Sequence, residues 1–268
     1  MTFNDDFFLS YLSAVPLPLA LERLTECQIY RERTFRRPIL DLGCGDGILV
    51  KNLFAEKIDA GLDPDPGELE RARRLGVYKE LIQCRADSIP KPDTSFNTVI
   101  SNSVLEHIPS LEPVFREVYR VLAPGGRFYC TVPSNYFDDY TIVNQILKAF
   151  RLRGPAGRYK KFFNSFWKHY HYYPLDQWTG IACRCGFVLS EAFNFNPRRN
   201  CLLNDFLVPF SLPSFLIKKI FNKWVLWPSL RRRMLYPLYP VLKRLYLFEE
   251  LGAQRGGLIF MSLEKAKQ

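Results

Sequence analysis

The feature that most constrains the fold is a run of three glycines directly after a short apolar segment. Residues 38–50 read PILDLGCGDGILV, with glycine at positions 43, 45 and 47. Glycine inside a regular element costs roughly 0.5–1 kcal/mol relative to alanine, so three in five residues indicate a specific backbone requirement. The pattern predicts a buried strand, a glycine loop and then a helix whose N-terminus points at a ligand.

Strand and helix patterns alternate from this loop to residue 133, and two more strands follow. Strands are predicted at 39–42, 58–63, 80–87, 96–102, 125–133, within 175–195 and at 256–266. The alternation predicts an α/β fold, a Rossmann-like seven-stranded and mostly parallel sheet flanked by helices. A helical insertion is expected between the last two strands, which divides the chain into a core of 1–196 with 256–268 and an insertion of 197–255.

The loop spacing restricts the class of ligand. Dinucleotide enzymes use G-x-G-x-x-G, whereas this loop is G-x-G-x-G with Ile48 next. No Gly-Lys-Ser/Thr follows, which argues against a P-loop. Asp63 lies 20 residues after Gly43, at the end of the second predicted strand, where an acid accepts hydrogen bonds from ribose hydroxyls. We therefore expect an adenosine-bearing ligand with a free ribose.

As a set, the motifs resemble the class I S-adenosylmethionine-dependent methyltransferases, of the small-molecule, type 11-like group. The matching segments are ILDLGCGDGIL, AGLDPDP, CRADSIPKPDTSFNTVISNSVLEHIP, VFREVYRVLAPGGRFYCTVP and HYYPLDQWTGIACRCGFVLSE. The resemblance covers residues 36–195 and 256–266. It implies S-adenosylmethionine as the cofactor and methyl transfer as the activity.

The resemblance also implies which residues contact the cofactor: Asp41, Gly43, Gly45, Gly47, Asp63, Asp87, Ser88, Ser101 and Asn102. The glycines would pass close to the methionine part, Asp41 would bind its ammonium group directly or through water, and Asp63 would take both ribose hydroxyls. Residues 87–88, ending the third strand, would meet the adenine edge, and residues 101–102 would lie beneath the sulfonium. Each of the three acids has a structural alternative. Asp41 would instead cap the loop, Asp63 would belong only to a turn, and Asp87 would cap a helix.

Histidine is the residue type best suited to remove a proton from an acceptor hydroxyl, and the chain has three. His107 follows the fourth strand and is the candidate catalytic base or substrate contact, with packing beside Glu106 as the alternative. His169 and His171 lie in the aromatic segment 151–173, where each either contacts substrate or stacks at the surface. The spacing of potential ligands predicts no metal site.

Positive charge is concentrated in two segments of a chain whose net charge is +10. The insertion has eleven Lys or Arg against three acids, and segment 151–173 has six Lys or Arg and no acid. These segments carry +8 and +6, which leaves 10 − 14 = −4 for the remainder. Localised basicity of this kind indicates a functional surface.

Two amphipathic helices are predicted in the insertion. The first places Leu216, Ile217, Ile220, Phe221, Trp224 and Val225 on one face, and the second aligns Leu238, Leu242, Leu245 and Tyr246. Arg231, Arg232 and Arg233 are expected between them. Three interpretations stay open: a lid over a small-molecule or lipid-linked substrate, docking on an anionic membrane surface, or nucleic-acid binding, which is least favoured because no known module is present.

Cellular context is indicated by the cysteines and by the absence of an obvious targeting signal. The seven cysteines are odd in number and follow no zinc spacing, which favours free thiols in a reducing cytoplasm. No basic N-terminal region or uncharged 18-residue apolar window occurs, so neither a secretory signal nor a transmembrane helix is predicted. We expect a cytoplasmic methyltransferase, peripheral on the inner membrane face if docking occurs. An RNA methyltransferase and a non-catalytic binding module are the alternatives.

Overall fold

The computed structural model describes residues 1–4, 7–241, 244 and 255–267. Within them, one sheet organises the chain. Its strands are β1 Ile39–Leu42, β2 Ile58–Asp63, β3 Tyr78–Gln83, β4 Phe96–Asn102, β5 Leu122–Pro133, β6 Phe187–Pro197 and β7 Gly256–Lys265. The spatial order is β3-β2-β1-β4-β5-β7-β6, with β1 to β5 parallel and β7 antiparallel to both β5 and β6. The predicted seven-stranded, mostly parallel sheet is confirmed.

Helices cover both faces of this sheet. They are α1 Phe7–Ala14, α2 Leu17–Arg31, α3 Ile48–Leu53, α4 Pro66–Leu75, α5 Leu111–Val121, α6 Ile142–Ala149, α7 Arg153–Phe166 and α8 Leu175–Arg184. Three more follow β6: α9 Arg198–Leu207, α10 Leu212–Phe221 and α11 Pro228–Leu235. The chain reverses direction across the sheet between β1 and β4, and ligands of such folds bind beyond the strand ends at that point.

Side-chain alternation along β1 divides the core into two layers. Ile39 packs into the cluster that includes α1 and α2, whereas Leu40 and Leu42 pack with α5 and α8 on the other face. Trp178 of α8 is fully buried in the second layer and donates a hydrogen bond to the Pro133 carbonyl at 3.1 Å. Both layers therefore fix the ends of the strands that carry the predicted site.

The third strand differs from the sequence prediction. It spans Tyr78–Gln83 rather than 80–87, because the chain turns away after Gln83. Ser88 N–H donates to the Arg85 carbonyl at 3.2 Å and closes a turn that cannot remain in the sheet. Asp87 thus lies in a loop and not at the end of a strand.

The insertion is helical where the structure describes it, but its helices differ from the predicted ones. Asn222 has φ +57° and ends α10, so Trp224 and Val225 lie beyond the helix. The three arginines 231–233 lie within α11 and not in a linker. Leu242, Leu245 and Tyr246 of the second predicted helix fall outside the described residues. The division of the chain into core and insertion remains a prediction.

One helical stretch, Arg198–Phe221, is long and apolar enough to be a candidate membrane span by length and composition. The sequence criterion did not detect it because the stretch contains charged residues. It comprises α9, a short 3-10 turn and α10, and residues of each line a cavity described below. No disulfide joins any two of the seven cysteines, all of which lie among the described residues.

Candidate active site

The glycine loop adopts a backbone that side chains would obstruct. Gly43 has φ +74°, and a Cβ there would lie 2.4 Å from a methyl carbon of Val104. Gly45 has φ +52°, and a Cβ there would meet no atom within 4 Å. The loop is therefore tightly packed where it leaves β1 and open at Gly45, which gives a ligand room to approach the backbone. This geometry fits the methionine part of the predicted cofactor.

Asp63 is held beside this loop by its own backbone environment. One carboxylate oxygen accepts a hydrogen bond from Gly45 N–H at 3.0 Å, and the other accepts from Asp65 N–H at 2.9 Å. Each oxygen keeps a further lone pair, so the orientation suits a pair of vicinal hydroxyls. Burial raises the pKa of Asp63 above its usual value despite these two bonds.

Asp41 is less accessible than the sequence suggested. Asp41 is 2% exposed, and its carboxylate accepts a hydrogen bond from the Tyr78 hydroxyl at 2.7 Å. Burial raises the pKa of Asp41 to about 7. The Tyr78 ring also approaches Gly61 and Gly47, where an added Cβ would lie 2.8 and 3.0 Å from it. Tyr78 therefore lies between β1, β2 and the glycine loop, and contact with an ammonium group remains a prediction for Asp41.

Asp87 and Ser88 lie in the loop after β3. Both Asp87 oxygens accept hydrogen bonds from the Arg85 guanidinium, at 3.0 and 2.7 Å. This pairing lowers the pKa of Asp87. Ser88 is exposed. The structure places both residues beyond the same edge of the sheet as Asp63, and their contact with adenine stays a prediction.

Ser101 and Asn102 end β4, but their side chains differ in environment. Ser101 is fully buried, and its hydroxyl has no hydrogen-bond partner among the described residues. Asn102 donates from its amide nitrogen to Glu26 at 2.9 Å, and its amide oxygen lies 3.1 Å from the Thr131 hydroxyl. Asn102 is thus fixed by protein groups on both sides of its amide.

Glu26 is a site residue that sequence reasoning missed. Its carboxylate is fully buried, pairs with Arg23 at 2.5 Å, and accepts hydrogen bonds from Thr131 at 3.0 Å and Ser103 at 3.2 Å. It thereby joins α2 to the ends of β4 and β5. A charged residue on the buried face of α2, between Leu24 and Ile29, was the available signal, because ionised groups are buried only when paired.

A cavity of about 470 Å³ lies beyond the carboxyl ends of β4 and β5. Among the described residues, eight aromatic side chains contribute to its walls, including Phe137, Tyr159, Phe163, Trp167 and Phe215. Its other walls come from α2, from the turn 103–107 and from α9 and α10 of the insertion. Pockets of this size and character suit small organic ligands.

Two of the three histidines line the cavity. His107 Nδ1 lies 3.1 Å from the Lys168 carbonyl, and His107 Nε2 lies 3.8 Å from Glu106 Oε1. The His107 and His169 rings are 5.2 Å apart. Burial lowers the pKa of His107 below its usual value and that of His169 to about 4, and raises the pKa of buried Glu106 to about 8. His171 instead bonds to the Ile108 carbonyl and to Tyr173.

Part of the insertion lies over the glycine loop. Trp224 Nε1 donates to Asp46 Oδ2 at 3.1 Å, and the Lys218 ammonium lies 4.0 Å from the Trp224 ring centroid. Lys218 is also 3.4 Å from Glu68 of α4, and Arg71 of α4 donates to Asn222. The same segment thus covers the glycine loop and lines the cavity.

Comparison with known proteins identifies the central part of the chain. Residues 40–130 match the family model described as "Methyltransferase domain". A demethylmenaquinone methyltransferase of Symbiobacterium thermophilum is 35% identical over 113 residues, which are 38% of this chain and 45% of that protein. A sterol 24-C-methyltransferase of Pneumocystis carinii is 33% identical over 111 residues, 38% of this chain and 29% of that protein. The match thus spans less than half the length of these relatives.

Solved structures extend the likeness to most of the chain at the level of fold. A SAM-dependent methyltransferase of Thermotoga maritima superposes with a TM-score of 0.59 at 15% identity, covering 93% of this chain and 91% of that one. Haemonchus contortus phosphoethanolamine N-methyltransferase 2, in complex with S-adenosyl-L-methionine, gives 0.56 at 19%, covering 92% and 52%. The [4+2]-cyclase SpnF gives 0.57 at 15%, covering 93% and 82%.

The glycine loop, Asp63 and the sheet are arranged as the sequence resemblance implies. The sheet is mostly parallel as predicted, the open glycine loop follows β1, and Asp63 stands at the end of β2. The domain match begins at Leu40, within β1, and ends at Cys130, within β5. Residues 40–130 therefore form a methyltransferase domain, and the fold that contains them is shared with S-adenosylmethionine-dependent methyltransferases.

Proposed function

We propose that the protein transfers a methyl group from S-adenosylmethionine to an apolar, lipid-like acceptor at an anionic membrane surface. The observation that carries this proposal is the aromatic cavity beyond β4 and β5. Phe166 and Phe215 line it and are nevertheless 65% and 40% exposed, so the cavity reaches the surface beside them. An apolar acceptor would enter there and bring its nucleophilic atom to the turn that carries His107.

The surface around this opening supports a lipid acceptor. Among the described residues, every large apolar side chain that is strongly exposed lies between positions 143 and 241. We call the exposed apolar side chains of residues 143–172 and 206–241 the apolar surface. Its most exposed members include Phe150, Phe162, Phe210, Ile220 and Trp227. Contiguous apolar patches beyond a few hundred Å² are rare on soluble monomers and mark interaction sites.

The charge of the same segments indicates which partner covers the apolar surface. Segment 151–173 and the insertion hold the excess of Lys and Arg. Apolar side chains flanked by basic ones are typical of helices that lie in an anionic lipid interface. Two of the matched relatives are named for demethylmenaquinone and for sterols, both apolar acceptors. The nucleic-acid alternative has no comparable support, since the exposed side chains of the apolar surface include many aliphatic ones.

Incubation with separate lipid, metabolite and RNA preparations distinguishes a lipid acceptor from the alternative functions. The protein is incubated with methyl-labelled S-adenosylmethionine and, separately, with a lipid extract, a soluble-metabolite extract and RNA. We expect label in an organic-phase product and an equal amount of S-adenosylhomocysteine, with both lost in Asp63→Asn. Label confined to RNA or to aqueous products would contradict the lipid acceptor. Cofactor binding without transfer to any fraction would support a non-catalytic module.

A further inference from the structure

Three potential ligand atoms converge on the wall of the cavity. Glu106, His107 and His169 each offer one such atom, and all three lie within 4.8 Å of one another. Glu106 is 3% exposed, and neither its Oε2 nor His169 Nδ1 has a hydrogen-bond partner among the described residues. Buried polar atoms are nearly always paired, so two unpaired ones in one cluster indicate a group that the cluster binds.

The tautomer of His107 is set by its backbone contact. Nδ1 donates to the Lys168 carbonyl at 3.1 Å, so in the neutral ring Nε2 carries the lone pair. Nε2 is 3.8 Å from Glu106 Oε1, which is too far for a hydrogen bond between them. A carbonyl that accepts from the second ring nitrogen is the usual outer-shell partner of a metal-binding histidine.

The cluster is held together by backbone bonds across a long sequence separation. Both neighbours of His169 in the chain bind the turn that carries Glu106 and His107. The Lys168 carbonyl accepts from His107 Nδ1, and Tyr170 N–H donates to the Glu106 carbonyl at 2.8 Å. The rings of Phe137 and Phe163 pack on His169 with centroids 5.7 and 6.4 Å away. An apolar shell of this kind limits water access and fixes ligand orientation.

Local charge favours a cation. Arg23 also lines the cavity, but Glu26 pairs with it at 2.5 Å and Glu22 lies 3.7 Å from it. With Glu106, three carboxylates oppose one guanidinium, so this wall is negative when the groups are ionised. Two imidazole nitrogens and one carboxylate oxygen are a donor set found in catalytic zinc sites, which leave a position open for substrate.

We propose that Glu106, His107 and His169 bind a divalent transition-metal ion, with Zn²⁺ as the best fit, and that the open position of this ion holds the acceptor's oxygen. The proposal rests on the proposed function for its catalytic role, though not for metal binding. Zn–N and Zn–O distances of about 2.0–2.2 Å place ligand atoms roughly 3.4 Å apart, so side-chain rotations of about 1 Å close the cluster.

The ion would make the acceptor a better nucleophile. An acceptor hydroxyl at the open position gives its proton to solvent more readily, because the cation stabilises the oxygen anion. That oxygen forms a bond to the methyl carbon while the carbon–sulfur bond breaks, and the electron pair of that bond moves to sulfur. The products are a methyl ether and neutral S-adenosylhomocysteine. A lone pair of His107 given to the ion cannot also accept the proton, so this role excludes His107 as the base.

Zinc binding is measured directly, without cofactor or acceptor. Metal-stripped protein carrying Cys183→Ser, which removes the exposed thiol, is titrated with Zn²⁺ by calorimetry, and bound metal is counted after gel filtration. We expect one ion per chain. His169→Gln and Glu106→Gln should weaken binding by more than the roughly 10–100-fold that loss of an outer-shell partner costs. His171→Gln, a histidine outside the cluster, should bind like the parent.

Two further measurements keep the proposal testable if a variant unfolds. Co²⁺ absorption of the unsubstituted site should indicate nitrogen and oxygen donors without thiolate. Calorimetry with S-adenosylmethionine tests the cofactor site separately. The proposal would be overturned if the parent protein does not bind zinc, or if His169→Gln and Glu106→Gln both bind it as tightly as the parent does. If methyl transfer then still occurs, the proposed function stands and His107 acts as the base. Zinc binding without methyl transfer to any acceptor would overturn the proposed function alone.

Discussion

Trp224 of the insertion donates a hydrogen bond from Nε1 to Asp46 Oδ2 in the glycine loop, at 3.1 Å. The contact joins the segment that covers the cavity to the loop that faces the cofactor. Trp224→Phe removes the donor and keeps the ring. Loss of one such bond costs about 0.5–1.5 kcal/mol, so we expect S-adenosylmethionine affinity to fall roughly 2–12-fold in calorimetry. Trp227→Phe, at an exposed tryptophan, is the matched control and should leave affinity unchanged.

Asp63 is predicted to bind the ribose through both carboxylate oxygens. Asp63→Asn keeps the side-chain shape and one acceptor oxygen, and it also weakens the bonds to Gly45 and Asp65. We expect S-adenosylmethionine and S-adenosylhomocysteine to bind about 1.5–3 kcal/mol more weakly, the value for hydrogen bonds to a charged group. Thermal unfolding without cofactor shows how much of the loss is loop stability. Tight NADH binding with no response to S-adenosylhomocysteine would contradict the cofactor assignment.

Asp41 should make cofactor affinity depend on pH. Its pKa is raised by burial to about 7, so the carboxyl is largely neutral below that pH and charged above it. Because the charged form attracts the cofactor's ammonium group, affinity should rise as pH increases from about 6 to 8. Without cofactor, the folding stability changes with pH in the opposite direction to the affinity. Between the unfolded pKa of about 4 and the folded value, the native state holds an extra proton, so stability falls as pH rises.

Asp41→Asn provides the comparison for both curves. The asparagine amide does not ionise, so the affinity of this variant for S-adenosylmethionine, measured by calorimetry, should not change over the same pH range. The variant should also lack the decline in melting temperature between about pH 4 and 7. A parent curve as flat as that of Asp41→Asn would show that Asp41 does not interact with the cofactor's charge.

His107 lines the cavity and should matter for turnover more than for cofactor binding. His107→Ala is expected to lower kcat by roughly 10²–10⁴, whether the imidazole takes the proton itself or holds an ion that polarises the acceptor. S-adenosylmethionine affinity should remain near that of the parent. A wild-type rate in His107→Ala would leave only a packing role for this side chain.

Membrane binding by the apolar surface should have an ionic and an apolar component. Arg232→Gln with Arg233→Gln should weaken co-sedimentation with anionic vesicles at low salt, because each basic residue near such a surface contributes about 1 kcal/mol. Ile220→Ser with Trp227→Ser should weaken it at all salt concentrations, since both side chains are largely exposed and apolar.

The charge-matched control lies on the other face of the sheet. Arg116→Gln with Arg184→Gln changes net charge equally on α5 and α8, which pack in the opposite core layer, and should have little effect. If the parent protein ignores anionic vesicles at low salt, the insertion serves as a lid alone and the lipid acceptor loses its main support.

Elements with a local signal were predictable from sequence, and contacts between distant segments were not. Periodicity and glycine punctuation located β1, β2 and β4 within a residue or two, because each is short, apolar and sharply ended. The end of β3 was misplaced because the turn at Arg85–Ser88 has no glycine or proline in it. Tyr78 and Glu26 were missed for a different reason, since their partners Asp41 and Thr131 are brought to them only by the folded sheet.

The amphipathic pattern of the insertion was informative but incomplete. It identified α10 and its start near Pro213, yet it extended the helix through Asn222, which tolerates the left-handed conformation that ends it. As a result Trp224 was assigned to the apolar face of that helix, whereas it lies beyond the helix and packs against Phe215 with ring centroids 5.5 Å apart. Helical periodicity cannot reveal where a helix gives way to a turn of polar residues.

The walls of the cavity have a consequence for how acceptor preference is inherited. Of the residues that line it, only Ser103, Glu106 and His107 belong to the stretch shared with known methyltransferases, 40–130. Most of the cavity wall therefore comes from segments on either side of the stretch that carries the glycine loop and Asp63. Substitutions in α2 and after residue 133 are therefore expected to change acceptor selectivity while Asp63 and the glycines stay in place, and a graft meant to transfer that selectivity has to include both segments.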